Sequence, residues 1–382
     1  EHRFTLDGGD ELESHLERIC ARIAHGVRGL VASRRLEAIC LGGGYGRGEG
    51  GVLQTPAGER PYNDFEFYIF VRGNRHVAEW RYARALDVLG EILTPAAGLH
   101  VEFKIASRRE LERQPISMFT YDLVSAHHLL HGPENFFRNC AHHRLSPRLP
   151  VSEATRLLMN RCSGLLLARD RLEAPVFTPC DADFVQRNLA KAALALGDAV
   201  LTALHRYSWN CRERYRRLCH DLTLGGMPEW RHAVLRFHEE GVAFKLHPER
   251  SQASRTELQR RYDELLPIAR DVWLWLEERR LGRTFADAHA YALDPAPKFP
   301  NQRLGRDTLA HLKQGGWSGL LSGEPLKPPR ERLLRALTLL LWVPDALTDP
   351  RLVMRLQREL QTDAVALPAF VRDYATLWSR AS

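Results

Sequence analysis

The sequence predicts an α/β (α+β) domain over residues 1–150 followed by a mainly α-helical domain over residues 151–382. Three observations predict it. Short apolar or alternating segments at 36–41, 63–71 and 100–106 surround a glycine cluster, as strands of a sheet would. Helical spacing flanks them at 11–33 and around 77–93. After residue 150 apolar residues recur at three and four positions, and the length of 382 residues suits two or three domains at about 150 residues each.

Leu12, Leu16, Ile19, Ile23, Val27 and Leu30 follow a helical repeat, so residues 11–33 form a helix with one face on a sheet. Leu36 to Leu41 is a short apolar run that ends in Gly42-Gly43-Gly44, which suits a buried strand leading into a turn. Residues 50–61, with Thr55-Pro56-Ala57-Gly58, look like a hairpin tip. Asn63 to Val71 and His100 to Ala106 alternate as strands do, with a helix between them. In the second half, Leu157, Leu158, Leu165 and Leu166, then Leu189, Ala193, Leu196 and Val200, then Leu258, Tyr262, Leu265, Ala269, Trp273 and Leu276 mark long helices. The Pro/Gly-rich stretches 294–305 and 315–330 are expected to be surface loops. There is no internal repeat.

Hydrophobic residues make up 44% and charged residues 26%, a profile that supports a packed core and excludes a disordered chain. Apolar runs such as Leu339 to Val343 are far shorter than the roughly 20 residues of a membrane span. Seven scattered cysteines with no Cys-x-x-Cys pair read as reduced thiols, and so predict a cytoplasmic protein. The net charge of +7 favours anionic partners such as a nucleoside triphosphate or RNA.

The chemistry lies in the first domain. Asp64 and Glu66, two apart on a strand, project from one face, while Phe65, Phe67 and Ile69 project into the core. On the later strand Val101, Phe103 and Ile105 face inward and Glu102 faces the other way. If the two strands are neighbours, three carboxylates converge. Mg2+ or Mn2+ takes hard oxygen ligands of this kind together with substrate phosphates. Gly43 and Gly44 form a turn without side chains, where backbone N–H groups can approach phosphate oxygens. Arg47 adds a permanently charged fork that can pair with a phosphate.

These residues resemble the DNA polymerase beta-like nucleotidyltransferases, whose pattern is a Gly-Gly or Gly-Ser turn, often continuing into Arg-Gly-Glu, and then Asp-x-Asp. Here Gly43-Gly44-Tyr45-Gly46-Arg47-Gly48-Glu49 is similar to that turn, and Asn63-Asp64-Phe65-Glu66 to the acidic strand. Glu102 falls where the family places its third acid. The match covers residues 36 to 106, with Glu66 standing where Asp is usual and a longer gap between turn and acids. The resemblance implies a mixed sheet and transfer of a nucleoside monophosphate from a triphosphate such as ATP to a hydroxyl, releasing pyrophosphate. It implies Asp64, Glu66 and Glu102 as catalytic and metal-ligating residues, and Gly43, Gly44 and Arg47 as nucleotide-binding residues. The helical domain resembles that of the antibiotic-modifying members, where it contributes to acceptor and nucleotide binding. Lys191 is the matching candidate for a triphosphate contact. The acceptor is expected to be a small hydroxylated or anionic molecule, or RNA.

Other patterns weigh less. Gly46-Arg47-Gly48-Glu49-Gly50-Gly51 fits Gly-x-Gly-x-x-Gly, but Val52-Leu53-Gln54-Thr55-Pro56 does not open the helix a dinucleotide site needs. No Gly-Lys-Ser/Thr follows, which excludes a P-loop. His127 and His131 stand at i and i+4, a spacing that can bind zinc, but there is no Glu in the metalloprotease position and no obvious further ligand, so a surface or satisfied histidine is the better reading. The run Arg212 to Arg217, next to Tyr207 and Trp209, suits either an RNA contact or a solvated helix face. Two further functions stay open: a catalytically degenerate nucleotide-binding regulatory module, and a toxin-like enzyme that nucleotidylates tRNA or a protein.

Overall fold

A computed structural model describes residues 2–62, 64–223, 228–299 and 329–381. The chain has an N-terminal mixed β-sheet domain followed by a long, mainly α-helical region. By Cα packing it divides into two compact units, residues 1–154 with 197–250, and residues 155–196 with 251–382.

The first unit opens with α1 (Asp10–Leu30), whose first turn carries Asp10, Glu11 and Glu13, matching acidic side chains to the positive end of the helix dipole. Leu12, Leu16, Ile19, Ile23 and Val27 are buried as the repeat requires, whereas Leu30 is exposed because the helix stops there. Next come β1 (Leu36–Leu41), the one-turn helix α2 (Gly43–Gly46), and a hairpin of β2 (Val52–Thr55) and β3 (Gly58–Pro61). They are followed by β4 (Phe65–Val71), α3 (Arg75–Ala97), β5 (Val101–Ala106), α4 (Arg108–Arg113), α5 (Met118–Ser125) and β6 (His128–His131). The main sheet has the order β5-β4-β1-β6. β4 pairs with β5 in parallel, and β1 pairs antiparallel with both β4 and β6.

A parallel pair needs a crossover, and α3 supplies it. Asn74 caps its start, its side chain accepting from the N–H groups of His76 and Val77. Gly98, with φ of 74°, ends it in the left-handed conformation that glycine adopts without strain. α3 lies close against β5 because residue 90 is glycine: a Cβ there would stand 2.6 Å from the Val101 carbonyl oxygen. One sheet face packs Ile39, Leu41, Phe65, Phe67, Ile69 and Val101 against α1 and α3. The opposite face packs Cys40, Tyr68 and Phe70 against Leu111, Leu123, Phe136 and Phe137.

β6 was not expected from the sequence. Residues 128–131 are a strand paired with β1, so His127 and His131 do not share a helix face. Burial lowers the His127 imidazole below its ordinary value, and its ring packs edge-on against Phe137.

The first unit also includes the end of α7 (Pro179–Ala203) from Gly197 onward, with α8 (Cys211–Thr223) and α9 (Arg231–Leu246). The second unit holds α6 (Ser152–Glu173) from Thr155, the earlier part of α7, α10 (Arg255–Leu281), α11 (Ala288–Leu293), α12 (Pro329–Trp342), α13 (Pro350–Leu360) and α14 (Leu367–Ala381). Its core includes Trp273, packed with Tyr291 and Trp342. The buried Glu277 accepts from Thr155, Tyr291 and Arg280. The expected loops at 294–305 and 315–330 lie outside the described residues over 300–328. All seven cysteines are free thiols, and no described helix is long and apolar enough to cross a membrane.

Gly90→Ala places a methyl group against backbone that cannot yield cheaply, so the variant is expected to lose about 1–3 kcal/mol of stability, read as a lower urea midpoint at unchanged slope. Gly29→Ala in α1, where an added Cβ meets nothing within 4 Å, is the control and should gain up to about 1 kcal/mol.

Candidate active site

The site is built where β1, β4 and β5 lie side by side. β1 delivers the chain into the glycine turn, and the Gly42 N–H donates to the Glu66 carbonyl oxygen at 2.9 Å, tying that turn to β4. Gly43 has φ of 63°, and a Cβ added there would stand 3.3 Å from Glu66 Oε2. The turn thus faces the acid directly. Gly44 is packed for a different reason, since a Cβ there would approach the Glu49 carbonyl oxygen to 3.1 Å. The first N–H groups of any helical turn, here those of α2, have no acceptor within their own helix.

Glu66 on β4 and Glu102 on β5 are direct partners in the parallel register, so both side chains project from the same face. Asp64 is exposed immediately before β4, and Asn63 lies outside the described residues. Phe65, Phe67 and Ile69 are fully buried on the opposite face. Two residues missed in the sequence belong here. Lys104 lies two positions beyond Glu102 on β5, and its Nζ is 3.1 Å from Glu102 Oε2 and 4.0 Å from Glu66 Oε1. Tyr68 lies two beyond Glu66, and its hydroxyl donates to Glu66 Oε2 at 3.2 Å. Burial and the two glutamates push the Tyr68 hydroxyl pKa up, keeping it a donor. Strand alternation, applied one step further along each strand, signals both residues.

Carboxylate oxygens are the donor type that a magnesium ion takes. The side chains here are not drawn together as such a site: among the described residues no group of three His, Cys, Asp or Glu is placed to hold a metal ion. Lys104 supplies the positive charge between Glu66 and Glu102.

Behind the turn lies a buried charge network, all within the first unit. Glu49 is wholly buried. Its carboxylate meets Lys245 Nζ at 2.5 Å, accepts from the Cys211 N–H at 2.7 Å and lies 3.8 Å from Arg47 Nε. Arg47 is only 13% exposed, and its Nη1 is 3.3 Å from Asp122 Oδ2. Its charge is therefore met inside the protein. Arg214, 3% exposed, pairs with Asp198 at 2.8 Å and donates to the Tyr207 hydroxyl, which donates to Asp122. His238 Nε2 lies 3.1 Å from Asp198 Oδ1. Within the basic run, then, Arg214 is interior, while Arg216 and Arg217 both pair with Glu213.

Burial alone would raise the Glu49 carboxyl, but Lys245, Arg214 and Arg47 outweigh it and hold it below its ordinary value. The same balance against Arg214 and His238 lowers Asp198. Asp122 goes the other way: burial raises it, and Arg47 and Arg214 do not fully offset that. Lys191, the remaining sequence candidate, lies exposed on α7 within the second unit.

No known protein family, curated protein or solved structure matches this chain.

Glu49→Gln leaves Lys245 without its buried counter-charge and is expected to cost about 3–5 kcal/mol near neutral pH by urea denaturation. Because the folded Glu49 pKa is depressed, its contribution is present above the ordinary value of 4.5 and is lost as pH falls through the folded pKa. The gap between wild type and variant should therefore narrow below that value. Lys104→Met leaves Glu66 and Glu102 facing each other without a cation, so added Mg2+ should raise the melting temperature of this variant more than that of the wild type.

Proposed function

We propose that this chain is a metal-dependent nucleotidyltransferase, moving a nucleoside monophosphate from a nucleoside triphosphate to an acceptor hydroxyl. The observation that carries the reading is the alignment of Glu66 with Glu102 across adjacent parallel strands, beside a turn whose Gly43 faces Glu66. A structural pair of surface acids has no need of a side-chain-free bend against one of them.

In this reading the backbone at Gly43 and Gly44 receives the triphosphate, and the φ of 63° at Gly43 keeps a side chain out of the narrow space beside Glu66. Asp64, Glu66 and Glu102 would hold Mg2+ or Mn2+, which would supply neutralising charge to the phosphates. The acceptor oxygen attacks the α-phosphorus and forms the new P–O bond. The bond from the α-phosphorus to its bridging oxygen breaks, and pyrophosphate leaves with that electron pair. Glu102 takes the hydroxyl proton in this reading. Arg47, held by Asp122 and Glu49, fixes the turn from behind.

One observation favours a second reading. The Lys104 ammonium already occupies the space between Glu66 and Glu102, as it would in a degenerate module that binds nucleotide without turnover.

A single assay separates the two. The protein is incubated with each α-labelled nucleoside triphosphate, Mg2+ or Mn2+ and fractionated extract, and acceptor label and pyrophosphate are measured. Nucleotidyl transfer predicts labelled product, reduced at least about 100-fold by Asp64→Ala or Glu66→Ala. Nucleotide binding with no label transferred under any condition would overturn the enzyme reading in favour of the module.

A further inference from the structure

At the free edge of β5 the first unit holds a cavity of about 560 Å³, in the size range of small-molecule sites. Its walls come from β4, β5, α3, α4 and α5, and its surface is mainly aromatic and aliphatic, including Tyr68, Phe70, Leu86, Phe103, Phe119 and Leu123. We infer that this cavity receives the acceptor, and that the acceptor is a small, uncharged alcohol carrying a flat aromatic ring. The name acceptor rests on the transferase reading above; the class of molecule rests on the cavity itself.

Position is the first reason. The glycine turn at the end of β1 lies beside the start of β4 at Glu66, and the cavity lies further along the same strands, on Tyr68 and Phe70 of β4 and on Phe103 to Ala106 of β5. If the triphosphate enters at the turn, the hydroxyl that loses its proton at Glu102 arrives from further along the strands, where the cavity lies. Two residues join the compartments. Tyr68 and Lys104 both line the cavity, and they contact Glu66 and Glu102 respectively.

The chemistry of the walls is the second. Phe119 packs against Tyr68 with ring centroids 5.2 Å apart, so a flat ring entering the cavity meets aromatic surface. Arg75, at the rim, is paired with Glu79 at 3.2 Å and lies 3.7 Å from Glu110, so its charge is spent locally. Lys104 is paired with Glu102, and Asp87 is exposed. The lining has no cation left without a carboxylate, so a polyanion such as RNA finds nothing to pair with. Its acids are confined to Glu79, Glu110 and Asp87 along one side, which makes spermidine the contrast that tests the uncharged class.

The backbone is the third. The Phe65 N–H donates to the His100 carbonyl oxygen, which fixes the phase of the parallel ladder. The peptide groups of Glu102 and Lys104 then face β4, while those of Phe103 and Ile105 project from the opposite edge, along which the cavity lies. An edge of this kind pairs with a donor and an acceptor on a planar ligand, such as a ring amide or phenol.

The test uses the full chain and saturation-transfer NMR without nucleotide or metal. The probes are 2-phenylethanol and N-acetyltyrosinamide, with glucose and spermidine as contrasts. The aromatic alcohols are expected to bind, and Ala83→Trp, which fills the cavity from its half-buried position on α3, should cut their signal at least five-fold. Phe119→Ala, which removes an aromatic wall at a half-exposed position, should cut it by a similar factor. Aromatic binding that is absent, that ignores both substitutions, or that is exceeded by spermidine or glucose would overturn the assignment. Label transfer separates it from the transferase reading. Ala83→Trp should lower transfer at least ten-fold with the affinity for the triphosphate unchanged. Transfer that is insensitive to Ala83→Trp sinks the cavity assignment alone, whereas probe binding sensitive to Ala83→Trp in a protein that transfers nothing sinks only the transferase reading.

Discussion

Glu49 has no access to water, so its charge has to be met from inside the protein. Lys245 of α9 meets it, and the Cys211 N–H at the start of α8 completes its coordination. A carboxylate one residue beyond Gly48 thus joins the glycine turn to two helices that lie more than 150 residues further along the chain. The turn cannot drift without exposing or stranding one of these charges, and an unpaired buried charge costs several kcal/mol. Arg47, Asp122, Tyr207, Arg214, Asp198 and His238 extend the same constraint, so that the bend facing Glu66 rests on a polar frame and not on apolar packing alone.

The acidic face carries the opposite problem. Glu66 and Glu102 are brought together by the register of a parallel pair, and like charges side by side repel. Lys104 relieves that repulsion through geometry the strand itself provides, since residues two apart project together. It also lies against Tyr68, 5.8 Å from the ring centroid, which couples the acids to the aromatic wall beyond. A partly exposed ammonium in that place is held loosely, because exposed ion pairs are worth little.

Much of the first domain was legible because its signals are local. The alternation around Phe65, Glu66 and Phe67 and around Val101, Glu102 and Phe103 marks two strands and assigns their faces, and β1 spans the expected Leu36 to Leu41. The hairpin tip follows from Thr55-Pro56-Ala57-Gly58. β6 was missed because His128-Leu129-Leu130-His131 is too short to show a period of two, while its histidines mimic a helical spacing. The packing of residues 197–250 with the first unit has no local signature. It depends on pairs such as Glu49 with Lys245 and Arg214 with Asp198, and neither a lone glutamate in a glycine turn nor an arginine inside a basic run announces its partner. Arg47 illustrates the same limit: its type suits a phosphate, but only the folded arrangement places Asp122 beside it.

The absence of a side chain at residue 90 reaches beyond stability. By letting α3 rest directly on the Val101 carbonyl, it sets where the returning strand begins. A slip of β5 by a single residue would carry Glu102 into the apolar layer and turn Val101 or Phe103 toward Glu66. Insertions or deletions between Gly98 and Val101 therefore threaten the chemistry before they threaten the fold, because a sheet tolerates a shifted edge strand far better than a shared charge site tolerates losing one of its members.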